Sequence, residues 1–481
     1  MARRIAQTAL MSIGHRKMRR TRLRGLAVAG CLLAPVAVSA QSDLSSPGLS
    51  VSGQFDFGLR SYLDDGRYAG QSDAGAQVFF GTTVNATMPL GTGQVVLQFS
   101  ASADTDGARD AFNLQRAYYT RSFGDWDLLA GMNVDTWGVA ESRSVMNVLN
   151  PQDGTDVIYG GDFVGTPMIN ASYYSDFGTF SAYALTGFVE PVSPGASSRL
   201  RAPFPVADGQ AVYQEGDGRH LDFAFRWRNN FALGDGALDV AASYFNGTSR
   251  TPVGLLGCAP TGGVTDATCD AVNAAVVDAF RSGDPAVSSV RDLFDQLADL
   301  PEDVVEQAVQ QVSAIPGLGI VPYYQHIQQG GLSAVYARGD LQVRTELAFT
   351  KPDNMDGYWS GVVGGDYTFH GIGPADASLT LVAEYLWDDR SMRAPSVLFG
   401  NDLFLGLNLF LNDSRDTAIR LGGFHDLDSD AQLFQLSAST RLNDAVRLDL
   451  TALHVRADGW SDPLSFVDRD SFVELKISTY F

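Results

Sequence analysis

The chain of 481 residues has no apolar run approaching the roughly 20 residues that a membrane-crossing helix needs, and its mean hydropathy is −0.03. A polytopic helical membrane protein is thereby excluded. Basic side chains are scarce, 34 against 55 acidic ones, and eight of them lie in the first 40 residues, which hold no acid. The remainder is too acidic to neutralise phosphates, so nucleic acid is excluded as a partner. Chemistry-bearing groups are few as well. His15 falls in the basic leader and the other five histidines are scattered; there is no Gly-rich phosphate loop, zinc-ligand spacing or nucleophile elbow. Neither an enzyme nor a cofactor is therefore expected. Aromatics are plentiful at 11%, which excludes intrinsic disorder.

The first 40 residues form an export signal. Arg19, Arg20, Arg22 and Arg24 precede an apolar stretch from Gly25 to Val38, and Val38-Ser39-Ala40 is a small-residue cleavage site. The apolar stretch is short for a membrane anchor. Val28-Ala29-Gly30-Cys31 loosely fits a lipoprotein box, and the start lies at Met1, Met11 or Met18. Beyond the leader only Cys258 and Cys269 remain, a pair that suits one disulfide in an exported protein better than a metal site.

The mature chain, 41–481, is dominated by alternation with period two. In 48–63, Val51, Phe55, Phe57 and Leu59 share one face while Gln54, Asp56 and Arg60 share the other. In 218–229, Leu221, Phe223, Phe225 and Trp227 oppose His220, Asp222, Arg226 and Arg228. In 340–350, Leu341, Val343, Leu347 and Phe349 oppose Gln342, Arg344 and Glu346. Eighteen such runs occur, the last at 469–481, each long enough to cross a bilayer as a tilted strand. Short turns alternate with longer polar connections, among them 135–166, 191–217, 248–328, 389–400 and 458–468. Trp126, Trp227, Tyr358, Trp359, Tyr385 and Trp387 sit near strand ends, as interfacial girdles do; a soluble all-β fold needs none. In lipid only a closed barrel satisfies the backbone of such strands. The expected fold is an all-β, transmembrane antiparallel β-barrel of about 18 strands (16 as the alternative), with both termini on the short-turn side.

Residues 248–328 break the pattern. Asp284-Pro285 suits a helix start, followed by Leu293, Phe294, Leu297 and Leu300 on one face; Pro301 starts a second helix with Val305, Val309 and Val312 as a stripe. This is a small helical, disulfide-containing insertion, extracellular by parity. It is either a surface cap or a plug lowered into the mouth.

The chain ends Leu475-Lys476-Ile477-Ser478-Thr479-Tyr480-Phe481. This resembles the last strand of Gram-negative outer-membrane proteins, where the terminal Phe is read by the assembly machinery. Trp137-Gly138-Val139-Ala140-Glu141-Ser142 and Asn147-Val148-Leu149-Asn150-Pro151-Gln152-Asp153 resemble a motif of porin-like and alginate-export-like outer-membrane proteins. The resemblance implies a passive channel for small hydrophilic solutes in the outer membrane, bordered by lipid and lipopolysaccharide. A substrate-specific export barrel or an adhesin is the alternative.

Pore-lining candidates on the strands are Arg226, Arg228, Arg344, Glu346, Glu384 and Arg420, drawn from a polar face that also carries Asp366, Arg447, Asp449, Glu474 and Lys476. They either pair across strands or set an arginine row against acids over the lumen. By resemblance to general porins, connection 135–166, the third external one, folds inward, so that Glu141, Arg143, Asp153 and Asp156 line an eyelet; otherwise it is a solvated surface loop. His454 and Ser471 fall opposite each other on the last two strands, near the external interface. They resemble the Ser–His pair of an outer-membrane lipid hydrolase, without an evident third group. Asp426, Asp428 and Asp430 form either a divalent-ion cluster or a solvated turn.

Overall fold

The computed structural model describes residues 48–481 apart from 74, 156–160, 208, 216–220, 261–263, 354 and 374–375. The export signal 1–40 and the candidate Asp156 lie outside the described residues.

Twenty-one strands follow one another: β1 (Ser50–Tyr62), β2 (Ala76–Leu90), β3 (Gly93–Asp104), β4 (Ala111–Phe123), β5 (Trp126–Asn133), β6 (Thr166–Ser175), β7 (Gly178–Leu185), β8 (Val212–Tyr213), β9 (Asp222–Leu233), β10 (Gly236–Thr248), β11 (Val253–Cys258), β12 (Leu318–Tyr324), β13 (His326–Arg338), β14 (Leu341–Pro352), β15 (Tyr358–Ile372), β16 (Ala377–Asp388), β17 (Asn401–Phe410), β18 (Ala418–Asp426), β19 (Gln432–Asn443), β20 (Val446–Arg456) and β21 (Phe472–Tyr480). All but β8, β11 and β12 form one sheet of 18 strands, each pairing antiparallel with its neighbours. Closure is direct: β1 pairs antiparallel with β21, setting Arg60 against Glu474 and Phe57 against Ile477. Each expected strand is present, most within a few residues of its expected bounds. The largest departures are β7, which stops at Leu185, and β9, which runs on to Leu233 and meets β10 through a tight turn.

The two faces follow the alternation. Every barrel strand exposes at least one large apolar side chain outward, as Phe57, Phe112, Phe225, Leu332, Leu405 and Leu475 illustrate. An unbroken apolar circumference of this kind far exceeds the patches that water-soluble proteins tolerate. Trp126, Trp359 and Tyr385 are exposed on this outer surface. Tyr358 departs from the girdle: it faces inward and is buried, with the Arg390 guanidinium 4.8 Å from its ring centre. The alternation of β15 puts Trp359 on the outer face and its neighbour on the opposite one.

The insertion is a mixed unit. β11 and β12 form a hairpin joined by β8, and three helices lie between them: α1 (Asp266–Ser282), α2 (Val290–Leu297) and α3 (Glu302–Ser313). Sequence periodicity indicates the last two helices and misses α1 and the small sheet. The start of α2 is also later than Asp284-Pro285 suggests. Ser289 is its N-cap, accepting from Asp292 N, and Asp284 instead caps a turn through Ala286 N. Pro301 does precede α3, whose Val305 and Val309 are buried. Cys258 at the end of β11 and Cys269 in the first turn of α1 are joined as a disulfide.

Two apolar clusters hold the insertion. Phe280, Val277 and Tyr323 pack with Val253 and Leu255. Phe294, Val290, Val305 and Val309 pack on Tyr68, Phe204 and Trp460. The second set comes from other connecting segments, and neither cluster contains a barrel-strand residue. The insertion is therefore built as a cap over the neighbouring loops and is not lowered against the barrel wall. Replacing 259–317 by a two-residue turn, with Cys258→Ser, is expected to leave single-channel conductance within about twofold of wild type, because the segments that fill the lumen remain. A several-fold rise would make the insertion the plug.

Candidate functional site

What fills the barrel is a set of other connections. Wall residues Val362, Val382, Leu386, Phe404, Phe424, Leu433 and Phe472 form one buried cluster with Leu200, Phe399, Leu464 and Val467, all from connections between strands. Met168, Tyr183, Leu185, Ala224, Phe245, Ile327 and Ala348 form another under Trp137, Met146, Val148 and Leu149. Toward the long-connection end, the inner face is thus packed like a protein core. Arginines bind these segments together. Arg199, fully buried, meets Asp470 at 2.7 Å, and Arg250 meets Asp222 at 3.0 Å. Arg67 meets Asp468 at 2.7 Å and lies over Trp460. Such pairs are costly to bury and damaging to break, because loss of one partner leaves an uncompensated buried charge.

The connection between β5 and β6 is folded inward, one of the two arrangements left open for 135–166. Asn150 holds its two ends together, donating to Asn133 O at 2.8 Å and Val164 O at 3.0 Å while accepting from Asp135 N at 2.9 Å. Trp137 is buried edge-on against Tyr183, and its backbone N–H donates to Asn147 Oδ1 at 2.5 Å. The segment then crosses to the opposite wall, where two carboxylates receive it. Glu346 on β14 accepts from Val139 N, from Ala140 N at 2.7 Å, from Ser144 Oγ at 2.8 Å and from Val145 N at 2.9 Å. Glu384 on β16 accepts from Glu141 N at 3.0 Å, from Ser142 N at 2.8 Å and from Ser142 Oγ at 2.5 Å. Gly138 permits the approach. It has φ of 116°, and a Cβ there would lie 2.0 Å from Ser144 Oγ and 2.6 Å from Glu346 Oε1.

Arg344 completes the clasp. It pairs with Glu141 at 2.8 Å and with Asp366, and stands 3.8 Å from Glu384. Arg344 and Glu384 lie two strands apart, each in register with Gly364 on the strand between. A Cβ at Gly364 would meet Glu384 Cα at 2.6 Å, so the glycine leaves room for the acid.

The sequence-derived site residues thus separate into groups. Glu141, Arg344, Glu346 and Glu384 come together at the clasp. Arg143 turns away, donating to Phe399 O at 3.3 Å; burial, with Arg390 nearby, pushes its guanidinium down to about 10, still charged at neutral pH. Asp153 holds the base of the loop, accepting from Asn113 and from Thr155 Oγ1 at 2.7 Å. Arg226 and Arg228 line a cavity of about 530 Å³ on the inner face below Val139, together with Asn230, Asp239 and Ser333. Arg420, Arg447 and Lys476 line a second of about 190 Å³ with Asp449, which pairs with Arg447 at 2.9 Å. The core-like filling escaped the sequence reading, although its signal was present: Leu200, Phe399, Leu464 and Val467 are too apolar for solvated loops.

His454 and Ser471 do meet, with Nδ1 3.3 Å from Oγ. Ser471 Oγ is buried and also accepts from Val455 N, and no carboxylate among the described residues is seen to orient the imidazole. Asp426 points inward and accepts from Asp428 N and Ser429 N, so it caps the β18–β19 turn and is not part of a shared outward cluster with Asp428 and Asp430.

No family model matches the chain, and no curated protein matches it. Among solved structures, Pseudomonas putida OprB aligns over 90% of this chain and 94% of its own at 9% identity and TM-score 0.41. Pseudomonas aeruginosa OccK5 (OpdH) aligns over 90% and 98% at 8% identity and TM-score 0.44. A mutant of Rh. blastica porin aligns over 90% and 100% at 11% identity and TM-score 0.35.

Proposed function

We propose that the protein is a channel of the Gram-negative outer membrane, passing small hydrophilic solutes by passive diffusion through a lumen narrowed by the β5–β6 loop. The observation that carries this reading is the clasp: an inward loop held across a charged lumen by Glu346, Glu384 and Arg344, inside a barrel with an apolar exterior. A water-filled path needs a polar inner face and a restriction, and the inward charged residues and the β5–β6 loop support this reading. Diffusion down a gradient requires no covalent step and no cofactor. Residues 1–40 serve as the export signal, lipid and lipopolysaccharide surround the apolar belt, and the assembly machinery reads the end at Phe481. The likeness of 137–153 to alginate-export-like proteins concerns this same loop and adds no solute. Planar-bilayer recording of the refolded mature protein tests the reading: discrete conductance steps are expected, and a persistently silent bilayer would overturn it.

The charge inside favours anions. Glu346 and Glu384 are taken up by loop amides and hydroxyls, and Asp366 by Arg344. Arg226, Arg228, Arg420 and Lys476 line the cavities and have no salt bridge among the described residues. Under a KCl gradient the reversal potential should therefore show anion preference despite the chain's formal net charge of −21. Arg226→Glu with Arg228→Glu should shift the permeability ratio toward cations by about threefold or more. An unaltered potential would remove these arginines from the solute path.

A further inference from the structure

At the rim bearing the long connections, Glu215, His326 and Asp353 each offer a ligand atom, and the three atoms lie within 4.8 Å of one another. They come from three separate segments: Glu215 follows β8, His326 opens β13 and Asp353 follows β14. Backbone bonds assemble them. The ladder that sets Ile327 against Pro352 continues one step, with Asp353 N donating to His326 O at 3.2 Å. Gln214 N donates to Tyr324 O at 2.9 Å, holding the Glu215 segment alongside. The convergence therefore does not depend on mutual attraction of the side chains, and two carboxylates are held near one imidazole by the fold itself.

We propose that this triplet binds a divalent transition-metal ion of the zinc type, through His326 Nδ1 and one oxygen from each of Glu215 and Asp353. The imidazole is already oriented for the task. Its Nδ1 lies 3.0 Å from Asp353 Oδ2, and its Nε2 lies 3.1 Å from Asn246 Oδ1. With Nε2–H donating to the Asn246 oxygen, Nδ1 carries the lone pair and faces the carboxylates. Metal-bound histidines commonly use this arrangement, with the far ring N–H held by an oxygen acceptor. One nitrogen and two carboxylate oxygens leave a fourth tetrahedral position for water, a set that suits Zn²⁺. Calcium favours six to eight oxygens and is poorly matched by an imidazole.

The consequence is mechanical. β8 pairs with β12 of the small sheet, α1 packs against that sheet through Val277 and Phe280, and β13 and β14 belong to the barrel. An ion shared by Glu215, His326 and Asp353 fastens the β8 edge of the small sheet to the barrel rim, beside the single-residue backbone link from Tyr324 to His326. Its removal would loosen the cap while leaving the barrel ladder intact.

Zn²⁺ titrated by calorimetry into the folded full-length protein in detergent tests the site. Wild type is expected to bind one ion per chain. His326→Ala should weaken binding at least about 30-fold and Glu215→Gln about tenfold, while Asn246→Ala, which removes only the outer hydrogen bond, should cost about tenfold. His454→Ala should bind as wild type does. Glu215 is exposed, so its variant keeps the test decisive if His326→Ala fails to fold. Absence of Zn²⁺ binding to wild type, or affinities for both His326→Ala and Glu215→Gln within about twofold of wild type, would overturn the proposal and leave a His–Asp hydrogen bond only.

Discussion

The double variant Glu346→Ala/Glu384→Ala is expected to raise single-channel conductance about twofold or more and to add rapid flicker, because the restriction loses its wall anchors. Seven hydrogen bonds converge on these two carboxylates, four on Glu346 and three on Glu384. Bonds to an ionised acceptor contribute ~1.5–3 kcal/mol each and do not add simply, so their joint loss amounts to several kcal/mol. Alanine also strands loop amides that point at the wall, and an unmet buried donor is costly in its own right. Among the described residues the loop has no other support of this strength on that wall; its remaining contact with Arg344 runs through Glu141 and a long bond to Val139 O at 3.5 Å. Its two ends stay tied by Asn150, so it should swing about its base and not unfold the barrel. Glu384→Gln keeps the shape and removes the charge, and should give an intermediate conductance. If the double variant folds and conducts as wild type does, this loop does not set the restriction.

The legible and illegible parts of this molecule differ in a simple physical respect. A strand with lipid on one side and water or packed loops on the other imposes period two on its own residues, so Val51 to Arg60 or Leu341 to Thr350 reveal both the strand and its faces without reference to anything distant. That local rule delivered the eighteen strands, the inward direction of Glu346 and Glu384, and the apposition of His454 with Ser471. Their partners were not legible, because a carboxylate that accepts from the amides of Val139 or Ser142 leaves no mark on either stretch of sequence. The rim triplet is hidden for the same reason: Glu215, His326 and Asp353 are drawn together only once the ladder and the small sheet exist. In the insertion, β11 has only six residues, and β12 carries Leu318, Ile320 and Val321 in a run too short to declare a period. Tyr358 shows how the same rule can be misapplied, since adjacent aromatics at a strand end cannot both face lipid.

Glu474→Ala is expected to lower the stability of the barrel by ~3–5 kcal/mol, the range found when one partner of a buried ion pair is removed. Glu474 lies where the last strand meets the first, directly across from Arg60. Its Oε2 accepts from Arg60 Nε at 2.8 Å and from Arg109 Nη1 at 3.3 Å, and Arg60 Nη2 stands 2.6 Å away. Both guanidiniums are buried, at 2% and 3% exposure, each over an aromatic ring: Arg60 on Phe472 and Arg109 on Phe79. Removal of the acid takes away the carboxylate that both enclosed cations share, at the seam whose pairing joins residues far apart in the chain. Closure there carries the entropy cost of the longest loop in the molecule, so the seam is where a weakened contact should be felt first. Equilibrium unfolding by denaturant in lipid vesicles measures the effect. The pair Arg60→Met/Glu474→Leu should recover a substantial part of it, because an apolar couple needs no desolvated charge, while Arg109 retains Asp104 at 3.8 Å. A single-variant loss below about 1 kcal/mol would mean that water reaches these cations and that the seam relies on its backbone ladder.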